Sequence, residues 1–158
     1  MPNVFNAAEV MDMGIEKEKK RRDFYGYAAE KFQDGAVKDL FVKLRDWENT
    51  HIKKFTEIRN TTEESEATES FQGELASYMK AAMDDLLYKQ VTKEWFSKNI
   101  KAEIEAIRYG IGFEKDAILF FNELLKYMNP YHKEKIQILI DEEKKHLVFL
   151  SELKKKYE

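Results

Sequence analysis

Two glutamate–histidine pairs with the same spacing are the residues of this sequence best suited to metal chemistry. Glu48 precedes His51 by three residues, and Glu143 precedes His146 by three residues. Side chains at this spacing on a helix project from the same face, so a carboxylate and an imidazole can reach one ion. Carboxylate and imidazole ligands together suit iron or manganese. The alternative, in a protein rich in glutamate, is a pair of ordinary surface neighbours.

Two further glutamates share a second spacing. Glu18 lies seven residues before Tyr25, and Glu114 lies seven residues before Phe121. Seven residues are two helical turns, so each carboxylate shares a face with an aromatic side chain that we expect to be buried. A single carboxylate on such a face would carry a large desolvation cost. Four carboxylates converging with two imidazoles are better explained by bound cations, which predicts a metal site.

The same order of motifs occurs in both halves of the chain, which indicates an internal repeat. The first glutamate is separated from the Glu-x-x-His motif by 30 residues in one half (Glu18 to Glu48) and by 29 in the other (Glu114 to Glu143). Each half reads Glu, six residues, an aromatic residue, then Glu-x-x-His. One glutamate from each of two helices and Glu-x-x-His from each of two others is the ligand arrangement of di-iron carboxylate bundles.

Four long helices are predicted to position these residues. The apolar spacing indicates helices over residues 6–33, 37–59, 99–128 and 130–155. Asp34-Gly35 separates the first two, and Asn129-Pro130 separates the last two. Residues 60–70 are polar and are predicted to be an exposed connection, whereas the roughly 25 residues that follow still look helical. The pattern predicts an all-α, ferritin-like four-helix bundle with a long, partly helical crossover between its second and third helices.

The composition limits the class of protein. With 158 residues, only 6 glycines and 2 prolines, the chain is expected to form one helical domain, residues 1–158. The absence of cysteine excludes disulfides, thiolate metal sites and cysteine nucleophiles. A net charge of -3 with intermixed signs argues against nucleic-acid binding. Neither a membrane span nor a signal peptide is recognisable, so we expect a cytoplasmic protein.

At the ligand motifs the chain resembles the ferritin-like di-iron superfamily, and it looks most like the rubrerythrin-type and bacterioferritin-type bundles. The resemblance covers residues 6–59 and 99–152. It implies that Glu18 and Glu114 are terminal ligands, one for each iron. It also implies that Glu48 and Glu143 bridge the two irons, and that His51 and His146 each cap one iron.

The resemblance also singles out Tyr25 as the candidate catalytic residue. Tyr25 matches an aromatic position beside the site, where it would form a hydrogen bond behind the ligands or serve in electron transfer. Phe121, at the related position of the second half, can do neither. Arg21 stands where a small residue is common, so the packing beside Glu18 is expected to differ.

Other departures concern the rubrerythrins in particular. Full-length rubrerythrins carry a cysteine-rich rubredoxin-like module, and this chain has no cysteine. They also carry an extra glutamate where this chain has Ala117, and a glutamate in place of His146. The ligand set is therefore closer to the symmetric bacterioferritin-like one, which argues against peroxidase chemistry through the extra glutamate.

The function implied by the resemblance is that of a rubrerythrin-like oxidoreductase in oxidative-stress protection. Its two iron ions, or manganese or a mixed pair, would react with O2 or H2O2. A separate electron donor such as a rubredoxin-like protein is expected, as is a homodimer or larger homo-oligomer. Two alternatives stay open: a ferroxidase or iron-storage protein of the ferritin type, and a helical interaction module without metal.

Three residues outside the ligand motifs receive ordinary structural interpretations. His132 has no glutamate three residues before it and is predicted to be a surface residue. Trp47 is interpreted as a core or interface anchor rather than an electron relay. Gly110 lies inside a helical pattern and is predicted to permit close helix packing or a local bend.

Overall fold

The computed structural model describes residues 5–65, 70, 71, 81, 88, 90–126 and 128–158. Within these ranges the chain forms five helices and one pair of two-residue strands. The helices are α1 (Ala7–Lys31), α2 (Gly35–Ser65), α3 (Lys93–Asn99), α4 (Glu103–Leu125) and α5 (Pro130–Lys155). Strand β1 (Phe5–Asn6) pairs antiparallel with β2 (Ser70–Phe71). The predicted all-α class is confirmed, and the helices are arranged as a ferritin-like bundle.

The two tight connections lie where the sequence predicts them, but Asp34 caps the start of α2, and Gly35 is the first residue of α2 rather than the end of α1. After α1, the carboxylate of Asp34 accepts hydrogen bonds from the backbone N–H groups of Ala36 and Val37 at 3.1 and 3.3 Å. Before α5, the Asn129 side chain accepts the N–H of His132 at 2.9 Å, and Pro130 occupies the first turn. These side chains satisfy N–H groups that have no partner inside the helix, which fixes where α2 and α5 begin.

Side-chain contacts give the direction in which the helices pair. Lys17 contacts Asp116 at 2.9 Å, and Tyr25, further along α1, contacts the carbonyl of Gly110. As the residue number increases along α1, the residue number of the contacting partner in α4 decreases, so the two helices are antiparallel. The same holds for α2 and α5, where Trp47 meets Phe149 and Lys54 meets Glu142. Helix α1 turns back into α2 through residues 32–34, so α2 and α4 point the same way, and the end of α2 lies at the opposite end of the bundle from the start of α4.

The core is divided into two apolar clusters by the predicted ligands. One cluster contains Ile15, Phe55, Phe120, Phe121 and Ile140. The other contains Phe24, Tyr25, Phe41, Phe113 and Leu150. Along all four long helices, the predicted ligands lie in the layer between these clusters. The clusters exclude water from both sides of that layer, which raises the free-energy cost of unpaired charge within it.

Three expectations about the elements need correction. Helix α2 continues to Ser65, so the first part of the predicted connection at residues 60–70 is helical. A helix that has already formed can continue without an apolar face, because elongation adds one hydrogen bond for each residue fixed. The third long helix begins at Glu103 rather than Asn99, because Ile100 is extended and ends α3. His132 is buried, with 1% of its surface exposed, and is not a surface residue.

Part of the predicted crossover lies outside the described residues. The helical spacing there rests on Leu75, Met79, Met83, Leu86 and Leu87. On the described side, the short helix α3 supports a crossover that is partly helical. Among the described residues, no helix combines the length and the hydropathy required to span a membrane.

Candidate metal centre

The structure buries all six predicted ligands in the layer between the two apolar clusters. The four glutamates have no exposed surface, and the two histidines are 1% and 4% exposed: Glu18, Glu48, Glu114, Glu143, His51 and His146. Four of them form a compact group in which the ligand atoms all lie within 4.8 Å of one another: Glu48, His51, Glu143 and His146. The remaining two glutamates flank this group.

The two Glu-x-x-His glutamates lie between the two imidazoles. Nδ1 of His51 is 2.5 Å from a carboxylate oxygen of Glu143 and 3.8 Å from one of Glu48. Nδ1 of His146 is 3.4 Å from Glu143 and 3.6 Å from Glu48. Each glutamate thus faces both histidines, which is the placement a carboxylate needs to contact two adjacent ions. The two rings are nearly parallel, with centroids 5.3 Å apart.

The two flanking glutamates have different surroundings. Glu114 accepts a hydrogen bond from the Tyr25 hydroxyl at 2.6 Å and lies 3.7 Å from Nδ1 of His146. Glu18 accepts no hydrogen bond from the described residues, and the guanidinium of Arg21 lies 3.5 Å from one of its oxygens. The repeat in the sequence therefore places equivalent ligands in unequal environments.

The donor atoms of this layer are largely without hydrogen bonds, which tests whether it fits a metal. Within the described part of the chain, six carboxylate oxygens and one imidazole nitrogen lack a partner: both oxygens of Glu18 and of Glu48, one each of Glu114 and Glu143, and Nδ1 of His146. Buried polar atoms are rarely left unpaired. Oxygen and imidazole donors that converge in this way fit a two-metal centre.

Burial and mutual repulsion shift the pKa values of the flanking glutamates. Burial raises the pKa of Glu18 well above its ordinary value, and the charge of Glu48 adds to the shift. Burial likewise raises the pKa of Glu114, helped by the charge of Glu143. Burial would also raise the pKa of Glu143, but its close contacts with Glu114 and the two histidines outweigh burial and hold that pKa well below its usual range.

The histidines are pulled toward their charged forms. Burial lowers the pKa of His51, but the hydrogen bond and charge of Glu143 outweigh it and raise the pKa to about 9. For His146, the nearby carboxylates of Glu114 and Glu143 outweigh burial and raise the pKa to about 12. Without metal, protons on the histidines therefore add positive charge to the layer. A metal ion that binds here must displace them, so its affinity rises with pH.

The residue that precedes each bridging candidate contacts the histidine of the other half. Glu142 places its carboxylate against Nε2 of His51. Trp47 instead stacks on the ring of His146, with centroids 5.0 Å apart and planes within 8°. A carboxylate on the outer nitrogen fixes the ring of a metal-binding histidine and raises its basicity. Glu142 is not among the residues predicted from the sequence, although its position next to Glu143 was a usable signal.

A cavity of about 350 Å³ opens beside both histidines. Its lining combines rings with basic groups and includes Trp47, His51, Lys54, Lys145, His146 and Phe149. Phe149 is 41% exposed and stacks on Trp47, with ring centroids 5.7 Å apart. Aromatic rings therefore extend from the protein surface to His146. Trp47 is only half-buried, so it lies at the cavity rather than deep in the core.

Glycines allow the helices to approach closely on either side of the layer. A Cβ on Gly14 would lie 2.5 Å from the Phe120 ring. A Cβ on Gly110 would lie 3.1 Å from Leu150 and 3.3 Å from Tyr25. The close packing predicted at Gly110 is thus observed. Gly14 and Gly110 each precede a flanking glutamate by four residues, so the repeat extends to these contacts.

The comparison with known proteins agrees with this geometry. The sequence model of a family described as Rubrerythrin matches residues 9–154. The chain belongs to the rubrerythrin family. No curated protein and no solved structure gave a significant match. The family match spans the six predicted ligands and continues through the middle of the chain, which the resemblance seen in the sequence left unmatched.

Two features of the centre bear on the departures noted in the sequence. Ala117, the position that the resemblance matches to the extra glutamate of rubrerythrins, is 1% exposed and offers no ligand atom. The donor set is the one described above, with a histidine in each half. Family membership and the buried cluster together support a two-metal site.

Proposed function

We propose that this rubrerythrin-family protein is a di-metal oxidoreductase whose carboxylate–histidine centre reacts with O2 or H2O2 in protection against oxidative stress. The observation that carries the proposal is the buried group of Glu48, His51, Glu143 and His146, with all ligand atoms within 4.8 Å. Two iron ions are the proposed cofactor, with manganese or a mixed pair as the alternative. Such a pair, when bound, supplies two electrons to a single oxygen substrate.

The proposed ligand roles follow the positions of the side chains. Glu48 and Glu143 would bridge the two ions, because each faces both imidazoles. The flanking glutamates would each bind one ion as terminal ligands, and the histidines would cap one ion each. In this arrangement one position is bounded by Glu18 and His51, and the other by Glu114 and His146.

Tyr25 is proposed to act by positioning Glu114. The phenol donates a hydrogen bond to a carboxylate oxygen of Glu114 at 2.6 Å. Burial, together with the charge of Glu114, raises the pKa of Tyr25 well above its usual value, so the hydroxyl keeps its proton and continues to donate. This contact supports the hydrogen-bonding role over the role in electron transfer.

A separate electron donor, such as a rubredoxin-like protein, is proposed to approach at the cavity beside the histidines. Phe149 and Trp47 connect the surface to His146 through stacked rings. Lys54 and Lys145 line the same cavity, and positive side chains there would favour an acidic partner surface.

A second candidate, oxidation and storage of iron, is favoured by one observation. The centre has Ala117 instead of the extra glutamate and carries a histidine in each half, as in the symmetric bacterioferritin-like ligand set. A storage function would require a shell of many subunits. Light scattering on the purified protein distinguishes the two, because a dimer argues against a storage cage.

The decisive experiment is anaerobic loading with Fe(II), followed by metal analysis and stopped-flow mixing with O2 and, separately, with H2O2. Two ions per chain and a faster reaction with one oxidant are expected. The Glu57→Gln variant should load and react like the wild type, because Glu57 is an exposed glutamate on the same helix as Glu48, and it therefore serves as the control for removing a carboxylate outside the centre. A carefully loaded sample that stays empty would refute the metal centre, and a loaded sample that reacts with neither oxidant would refute the oxidoreductase.

A further inference from the structure

One charged group in the central layer is not accounted for by the proposed ligand set. Arg21 follows Glu18 by three residues, and Ala117 follows Glu114 by three residues, so the repeat relates the two positions. Both residues are 1% exposed. One half of the centre therefore contains a buried guanidinium where the other half contains a methyl group.

The contacts of Arg21 place its charge in the half formed by α1 and α2. The guanidinium lies 3.5 Å from a carboxylate oxygen of Glu18 and 3.8 Å from one of Glu48. On its other side it donates to the Tyr88 hydroxyl at 3.4 Å, and Tyr88 in turn donates to Asp116 at 2.8 Å. These neighbours hold the guanidinium at the edge of the layer, beside the position bounded by Glu18 and His51.

A guanidinium stays charged at every physiological pH, so it cannot lose its proton when a metal ion arrives. Its repulsion of a cation is strong in a buried layer, where screening by water and salt is weak. The guanidinium also competes with a metal ion for the negative charge of Glu18. That carboxylate pairs with Arg21 at 3.5 Å and has no hydrogen bond from the described residues. Among the described ion pairs, none joins Glu114 to an arginine, and Glu114 is oriented by Tyr25.

We infer that the two metal positions are unequal, with Arg21 weakening the position bounded by Glu18 and His51, so that the position bounded by Glu114 and His146 fills first. Glu142 acts in the opposite direction by raising the basicity of His51. Arg21 outweighs it because the guanidinium acts directly on the ion, whereas Glu142 acts through the imidazole. The inference rests on the metal centre of the proposed function and is independent of any reaction with oxygen.

The test is a titration of the whole metal-free protein with Mn(II), in which electron paramagnetic resonance measures the free ion. Wild type should bind two ions per chain with dissociation constants at least about tenfold apart. Arg21→Gln should lower the dissociation constant of the weaker position and so reduce the ratio between the two constants. Arg22→Gln is the matched control: it removes the same charge from the next residue, which is partly exposed and pairs with Asp23, and it should leave both constants unchanged.

Two further variants assign the positions and do not depend on the folding of Arg21→Gln. Glu18→Gln should retain the tighter ion, and Glu114→Gln should retain only the weaker one. Equal constants in wild type, the opposite assignment, or a folded Arg21→Gln with an unchanged ratio would each overturn the inference while leaving the proposed function intact. A wild-type protein that binds no Mn(II) or Fe(II) would overturn both.

Discussion

The half of the bundle formed by α1 and α2 and the half formed by α4 and α5 place glutamates and histidines at matching positions, but the residues around those ligands differ. Arg21 in the first half corresponds to Ala117 in the second. Tyr25 corresponds to Phe121. Trp47, which precedes Glu48, corresponds to Glu142, which precedes Glu143. The predicted ligands are thus repeated, while their neighbours are not.

Three of these neighbours contact a ligand of the opposite half. Tyr25 on α1 donates to Glu114 on α4. Glu142 on α5 contacts His51 on α2, and Trp47 on α2 stacks on His146. The reason is that α1 pairs with α4, and α2 with α5, in antiparallel fashion, which brings equivalent positions face to face. A substitution of one of these neighbours in one half should therefore change metal binding in the other half.

The largest expected effect comes from removing a residue shared by both halves. Glu48→Ala or Glu143→Ala should abolish metal binding at both positions, because each carboxylate is proposed to bridge the two ions. Metal content measured by mass spectrometry after loading checks this. The exposed Glu134→Gln on α5 is the control for Glu143. Unchanged metal content in both alanine variants would refute the bridging assignment.

The next effect is the pH dependence of the metal-free protein. The pKa of His51 is raised from 6.5 to about 9 in the folded state. A raised pKa contributes stability that is complete below the unfolded value and is lost as pH rises toward the folded value. The contribution of His146, with a pKa of about 12, is lost over a wider range. The Tm of the metal-free protein should therefore fall by several degrees between pH 6.5 and 9.

Circular dichroism melts at several pH values measure that fall, and two comparisons locate its origin. His51→Gln should reduce the fall in Tm, because the proton on His51, one of the two histidine protons of the layer, is then absent. Metal-loaded protein should show a much smaller fall, since bound ions replace the protons. A metal-free wild type whose Tm rises across this range would contradict the proposed exchange of protons for metal.

A smaller effect compares the two glycine contacts. Gly14→Ala would place a methyl group 2.5 Å from the Phe120 ring and should cost about 1–3 kcal/mol in free energy of unfolding. Gly110→Ala meets Leu150 at 3.1 Å, and the gain of about 1 kcal/mol in helix propensity should leave it nearly neutral. Gly112→Ala is the control, because nothing lies within 4 Å of its Cβ. Urea unfolding gives all three values, and equal costs at Gly14 and Gly110 would contradict the prediction.

The smallest effect concerns the phenol that serves the opposite half. Tyr25→Phe removes one hydrogen bond to Glu114 and should weaken the metal position of the second half by about tenfold, leaving the first half unchanged. Titration with Mn(II) resolves the two positions. Tyr27→Phe, a half-buried tyrosine on the same helix, should have no effect. Equal weakening of both positions would show that Tyr25 acts on the bundle as a whole.

The sequence alone determined the helices that are held by local patterns. Apolar spacing, the break at Asp34-Gly35 and the cap at Asn129 fixed the long helices to within a few residues at most ends. It failed where no apolar pattern was available, as in the last turns of α2 up to Ser65. It also failed for His132, because the burial of a side chain near a helix start depends on what packs over it.

For the centre, the sequence determined which residues converge and the tertiary structure decided what surrounds them. Glu-x-x-His and the seven-residue spacing to Tyr25 are local facts, since three and seven residues return to the same helix face. The contacts from Tyr25 to Glu114 and from Trp47 to His146 join residues far apart in the chain. They follow only from the antiparallel pairing and its register, which no periodicity within one helix can fix. The inequality of the two halves therefore became visible only once the helices were packed.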